Sequence, residues 1–138
     1  AVWPAQNINF TNKTQFLFRI SKGTLNVNDN DVNRYFPKES IRIPFENIVY
    51  IGDSQTDIPC MKLVTSLGGQ AIGVYDPKLK NKERVHSLIR DKRIKYFAPA
   101  DYSKNKELEK LLKQIIDYSK ASFALKQEYY KNLEESEL

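Results

Sequence analysis

The sequence predicts an α/β fold of about three parallel strands with crossover helices and a long helix at its carboxyl end. Three observations predict it. Ile48, Val49, Tyr50 and Ile51 are consecutive apolar side chains without alternation, which reads as a strand buried on both faces. A second apolar run, Gln70 to Tyr75, follows after a helix-length interval. Strand, helix, strand, helix, strand, helix is the order of right-handed crossovers in a parallel sheet.

In chain order, Asn7 to Phe10 alternates polar and apolar residues and is a short extended candidate. The stretch Thr11 to Gly23 reads as a helix of about three turns, with Thr11 or Asn12 as N-cap and Gly23 as a left-handed stop; its richness in Phe and Ile leaves a strand as the alternative. Its Phe16, Leu17 and Ile20 are expected to face a core. Thr24 to Phe45 reads as an irregular connection, broken by Pro37 and Pro44, with a short helix over Asp29 to Tyr35. The strand Asn47 to Gly52 leads through a loop to a helix from Ile58 to Leu67, whose Pro59 fits a first turn and which Gly68-Gly69 ends.

After the second strand, Lys82 to Arg90 is predicted helical with Val85, Leu88 and Ile89 on its core face. Ile94 to Ala98 is the third strand. Asp101 or Ser103 is expected to cap the last helix, whose Leu108, Leu111, Leu112, Ile115 and Ile116 repeat at helical spacing as a core stripe. Residues 117–138 are expected to form a helical extension carrying Phe123, Leu125, Tyr129, Tyr130 and Leu133, with an acidic end that frays.

The 138 residues, 41% hydrophobic and 28% charged, suffice for one globular domain with a core. No apolar stretch approaches the roughly 18 residues of a membrane span, and no signal-peptide pattern is present. No membrane partner is expected. A single cysteine, Cys60, cannot form an internal disulfide, so the expected setting is cytoplasmic. The net charge of +5 is concentrated between residues 78 and 95, where Lys78, Lys80, Lys82, Arg84, Arg90, Lys92, Arg93 and Lys95 face Glu83 and Asp91. This cluster reads as a solvated helix face. Aromatic residues do not interleave with it as stacking on single strands requires, so no nucleic-acid partner is expected.

The chemistry gathers at Gly52-Asp53-Ser-Gln-Thr-Asp57. Carboxylates at the carboxyl end of a buried parallel strand sit where open α/β sheets bind ligands. A crossover helix runs antiparallel to the strands, so Lys13, at the start of its helix, is expected at the same edge as Asp53, and Lys22 at the far edge. Asp57 has a plainer reading, as the N-cap of the helix after it. Two carboxylates suit Mg²⁺, which completes its octahedron with water and phosphate oxygens. A lysine is a compact charge for phosphate or for a neighbouring carboxylate. Phosphoryl transfer needs such a set, because it depends on positioning and charge stabilisation.

These residues resemble the third and fourth motifs of haloacid dehalogenase-like (HAD) hydrolases, most of which are Mg²⁺-dependent phosphatases with a three-layer Rossmann-like core. The stretches Lys13 to Gly23, Ile51 to Val64 and Phe97 to Ser103 resemble a bacterial subgroup of that superfamily, and the likeness runs over nearly all of the first 115 residues. It implies Asp53 as metal ligand, Asp57 as its support, directly or through water, and Lys13 as the residue holding nucleophile and phosphate together. It also implies a phosphorylated small molecule as substrate of the complete enzyme.

The family's nucleophile comes from a D-x-D motif before this lysine, and residues 1–12 contain no Asp. Asp29-Asn-Asp31 follows the lysine and falls on the wrong edge. Residues 1–116 are therefore expected to be the carboxyl-terminal half of a HAD-like core, inactive alone. The first residue, Ala1, agrees with a partial chain. The expected partners are the missing amino-terminal half or a second copy, paired through the strand edge at 47–52 or the aromatic tail. The alternative is a non-catalytic phosphate- or partner-binding module on the half-fold. Cys60 and Met61 are expected in the core, His86 in solvent, and Trp3 packed.

Overall fold

The computed structural model describes residues 12–25, 41–78 and 82–138. They contain three strands, β1 (Val49–Gly52), β2 (Gln70–Tyr75) and β3 (Tyr96–Pro99), and four α-helices, α1 (Lys13–Lys22), α2 (Ile58–Ser66), α3 (Glu83–Arg90) and α4 (Glu107–Ser136). The strands form a parallel sheet in the order β1-β2-β3, with α2 and α3 as the crossovers. In the β1–β2 register Val49 lies opposite Gln70 and Gly52 opposite Gly73. The α/β class with a long carboxyl-terminal helix is thus as the sequence predicts.

The chain divides into two compact units, one ending at Ala98 and one running from Pro99 to Leu138. In the first, Met61, Ala71, Val85, Leu88 and Ile94 make one buried cluster, and Leu17, Cys60 and Val64 make a second. Tyr50 packs against both. Fully burying a side chain such as Met61 or Ile72 stabilises the fold by ~1.5–3 kcal/mol. Cys60 and Met61 lie in the core as expected.

Gly23 ends α1 with φ 78°, and the Thr24 amide donates to the Arg19 carbonyl at 3.0 Å. This is the left-handed stop the glycine predicts. Asn12 occupies the N-cap position. Leu17 is buried, but Ile20 is 43% exposed, and Arg19 and Ser21 are buried in its place. The cause is the segment after the helix: Ser21 Oγ donates to the Ile43 carbonyl at 2.6 Å and the Ile43 amide to the Ser21 carbonyl at 2.9 Å, covering the last turn. Arg19 Nη1 donates to the Thr24 carbonyl at 3.1 Å.

Other expectations shift for identifiable reasons. Among the described residues β1 stands at one end of the strand order and is half-buried from Val49 to Ile51, whereas β2, in the middle, is buried from Gln70 to Val74. The third strand begins at Tyr96, two residues late. Ile94 precedes it as a core residue, its Cδ1 so close to Gly73 that a Cβ there would come within 2.9 Å. On α3, Val85 and Leu88 are buried but Ile89 is exposed. His86 is half-buried, with its ring against that of Phe97, 5.3 Å between centroids, and so is less solvated than expected.

Asp101 and Ser103 do not cap α4. Asp101 Oδ1 accepts the Ser103 amide at 3.0 Å in a turn of its own, and the helix begins at Glu107. The Asn105 amide donates to Glu109 in the first turn. Helix α4 then runs unbroken through residue 116 to Ser136, with Leu108 and Ile115 buried, Leu111 and Leu112 half-buried, and Ile116 53% exposed. Asn7 to Phe10, the helix over 29–35, Asp29 to Asp31, Trp3 and Thr11 lie outside the described residues.

Candidate functional site

Gly52 closes β1 and Asp57 ends a single 3₁₀ turn, Gln55–Asp57, that feeds directly into α2. The glycine is needed for close approach: a Cβ on Gly52 would lie 2.7 Å from both Asp57 Cβ and Met61 Cε. With only hydrogen there, the carboxyl of Asp57 folds back under the strand end and is buried.

Five donors converge on that carboxylate. Lys13 Nζ, at 2.8 Å, and the Tyr50 hydroxyl, at 2.7 Å, donate to Oδ1. The amides of Asp53, at 3.1 Å, and Ser54, at 3.2 Å, donate to Oδ2 together with the Ser54 hydroxyl at 3.2 Å. Lys13 also reaches Thr56 Oγ1 at 3.4 Å, and the Ser54 and Thr56 hydroxyls share a hydrogen bond of 2.7 Å. Ser54 and Asp57 form a capping box for the turn, with Asp57 as its third residue. Asp57 also stands at the N-cap position of α2, as the sequence suggests, but its carboxylate makes no cap hydrogen bond to that helix.

Burial pushes the Asp57 carboxyl up, but the hydrogen bonds from Lys13, Tyr50, Ser54 and Asp53 outweigh it and bring the pKa down to about 2. Burial, then the bond to Asp57, hold the Tyr50 phenol protonated far above its ordinary range. Burial also raises the Cys60 thiol, which leaves it an inert core group.

Asp53 is the opposite case. Its residue is exposed, and among the described residues no hydrogen bond or ion pair reaches its carboxylate. Its backbone is held at both ends: the amide donates to Asp57, and the carbonyl accepts from the Arg84 guanidinium of α3. The three residues singled out in the sequence thus come together, with Lys13 bonded to Asp57 and Asp57 bonded to the amide of Asp53. Among the described residues no three His, Cys, Asp or Glu side chains cluster as a metal cage. Mg²⁺ is commonly held by only one or two protein carboxylates, and Asp53 is the carboxylate here that could serve it. Asp57 does not fit as a direct ligand, since both its oxygens already accept protein donors.

Tyr50, Ser54 and Arg84 were not singled out. Ser54 was legible as S-x-x-D before an apolar helix, a capping-box pattern. Tyr50 showed only as a polar-tipped ring within an aliphatic run, and Arg84 carried no local signal 31 residues from Asp53. A groove of about 380 Å³ lined by Thr14, Phe18, Pro59, Lys62, Leu63 and Ser66 lies between α1 and α2. It includes none of these site residues.

No family model and no solved structure matches the chain. The chain is 29% identical over 101 residues to an uncharacterized protein of Borreliella burgdorferi, which covers 73% of this chain and 34% of that protein. It therefore spans about a third of the length of this relative. No helix among the described residues is long and apolar enough to cross a membrane.

Proposed function

We propose that this chain supplies the metal- and phosphate-handling half of a Mg²⁺-dependent, HAD-like phosphohydrolase acting on a phosphorylated small molecule. The observation that carries the reading is the division of labour between two carboxylates. Asp57 is saturated with donors and fixes the loop, whereas Asp53 presents an unengaged carboxylate beside it. Asp53 is the metal ligand in this reading, with Asp57 supporting the site through the loop or through water. Mg²⁺ would neutralise charge on the phosphoryl oxygens. Lys13 holds Asp57 ionised and offers its remaining N–H donor to phosphate or to a nucleophilic carboxylate.

The nucleophile is not among these groups, so its aspartate comes from another segment or chain, and the 138 residues alone do not turn over phosphate esters. The end of the strand order at β1 is where that segment would pair. Isotope-edited NMR tests the metal part: Mg²⁺ should shift the amides of Gly52 to Asp57, and Asp53→Asn should abolish the response. A response that survives Asp53→Asn would refute the assignment. Turnover of p-nitrophenyl phosphate by the purified chain, lost in Asp53→Asn, would overturn the claim of inactivity. Mg²⁺-independent phosphate binding without turnover in any longer form would favour the binding-module alternative.

A further inference from the structure

Helix α3 reaches the candidate site from a part of the sequence that the metal reading does not use. Arg84, in its first turn, extends across 31 residues of sequence, and its Nη1 donates to the backbone oxygen of Asp53. Asp53 is thereby linked to two cations, to Lys13 through Asp57 and to Arg84 through its own carbonyl.

Most of the basic residues described at 78–95 are exposed, as a solvated face requires, but they differ in what they touch. Arg90, in the last turn of α3, pairs with Glu83 at 2.8 Å. Lys82 lies over the Tyr75 ring, 5.0 Å from its centroid. Arg84 alone of these three is brought to the Asp53 loop. It is exposed, and among the described residues it has no carboxylate partner.

A guanidinium presents five N–H donors in a planar fork, and one bond to a neutral carbonyl leaves most of them open. Phosphate oxygens match that fork in pairs, with charge-assisted bonds about twice as strong as neutral ones. A compact ammonium such as Lys13 cannot supply the same two-point match.

We infer that Arg84 is a specificity-determining residue that grips the oxygens of a phosphate-bearing ligand at Asp53, with its bond to the Asp53 carbonyl setting the guanidinium in place. The inference rests on the proposed metal and phosphate reading of this loop. It favours a dianionic phosphoryl group over a carboxylate, because the fork would then work against two delocalised negative charges and not one.

Titration of the ¹⁵N-labelled chain with inorganic phosphate, with and without Mg²⁺, tests it through the amides of Gly52 to Asp57. Arg84→Gln should weaken phosphate binding about fivefold or more while leaving the Mg²⁺ midpoint within about twofold. Arg84→Lys should restore only part of the loss. Acetate should bind more weakly than phosphate and be less sensitive to Arg84→Gln. If Arg84 merely braces the loop, Mg²⁺ and phosphate midpoints will move together, and that result overturns the inference. Phosphate binding that is absent, or indifferent to Arg84→Gln, overturns it too. Should Mg²⁺ leave Asp53 unshifted while phosphate still depends on Arg84, the role of Arg84 stands and the metal reading alone fails.

Discussion

The Tyr50 hydroxyl, carried in the middle of β1, donates to Asp57 Oδ1 at 2.7 Å across the turn that follows the strand. A hydrogen bond to an ionised acceptor contributes about 1.5–3 kcal/mol, more than one between neutral groups. Tyr50→Phe keeps the ring that packs against both core clusters and removes only this donor. Urea denaturation should report a loss of about 1.5–3 kcal/mol. An unchanged midpoint would show that the bond adds nothing net.

Acid stability follows from the same carboxylate. The pKa of Asp57 is lowered from 3.8 to about 2 on folding, so the unfolded chain binds its proton first as pH falls. The contribution, about 2 kcal/mol, is fully present above roughly pH 4 and is lost as pH falls through about 2. Lys13→Met removes the strongest counter to burial and should raise this pKa, moving the acid-unfolding midpoint to higher pH. Circular dichroism across pH 1.5–5 measures it. Coincident curves for the two proteins would contradict the assignment.

Gly52→Ala should be costly although the substitution is small. The new methyl would meet Asp57 Cβ and Met61 Cε at 2.7 Å, and overpacking of this kind costs about 1–3 kcal/mol. Displacement of the carboxyl should appear as a raised Asp57 pKa in a ¹³C titration. A variant of native stability and native titration would mean that the strand end can yield without disturbing the site.

Asp53→Asn separates stability from ligand binding. The side chain is exposed and unengaged among the described residues, so the melting curve should stay within about 0.5 kcal/mol of wild type. Large destabilisation would reveal a structural role for Asp53 in place of a ligand role.

Local rules carried much of the fold. Gly23 at φ 78° and the apolar run of β2 are settled by backbone freedom and burial, both readable within a few residues. Periodicity failed where an element's surroundings change along its length: Ile20, Ile89 and Ile116 keep helical spacing yet are exposed. Whether a face is covered depends on what docks there, as Ile43 does on the last turn of α1. Lys13, Asp53 and Asp57 were legible because strand direction fixes which helix end meets which strand end. Tyr50 and Arg84 were not, since the reach of one across a turn and of the other from α3 is set by tertiary distances that spacing does not encode.

The donors around Asp57 differ greatly in how far along the chain they come from. Ser54 and Tyr50 are three and seven residues away, whereas Lys13 is separated from Asp57 by 44. Closing a loop of that size carries an entropic cost that the neighbouring donors do not bear. The strand and the turn supply the nearby hydrogen bonds, whereas the counter-charge depends on α1 being docked. The local donors alone thus offset part of the cost of burying this charge, and among the described donors Lys13 adds the only contribution that depends on a long loop being closed.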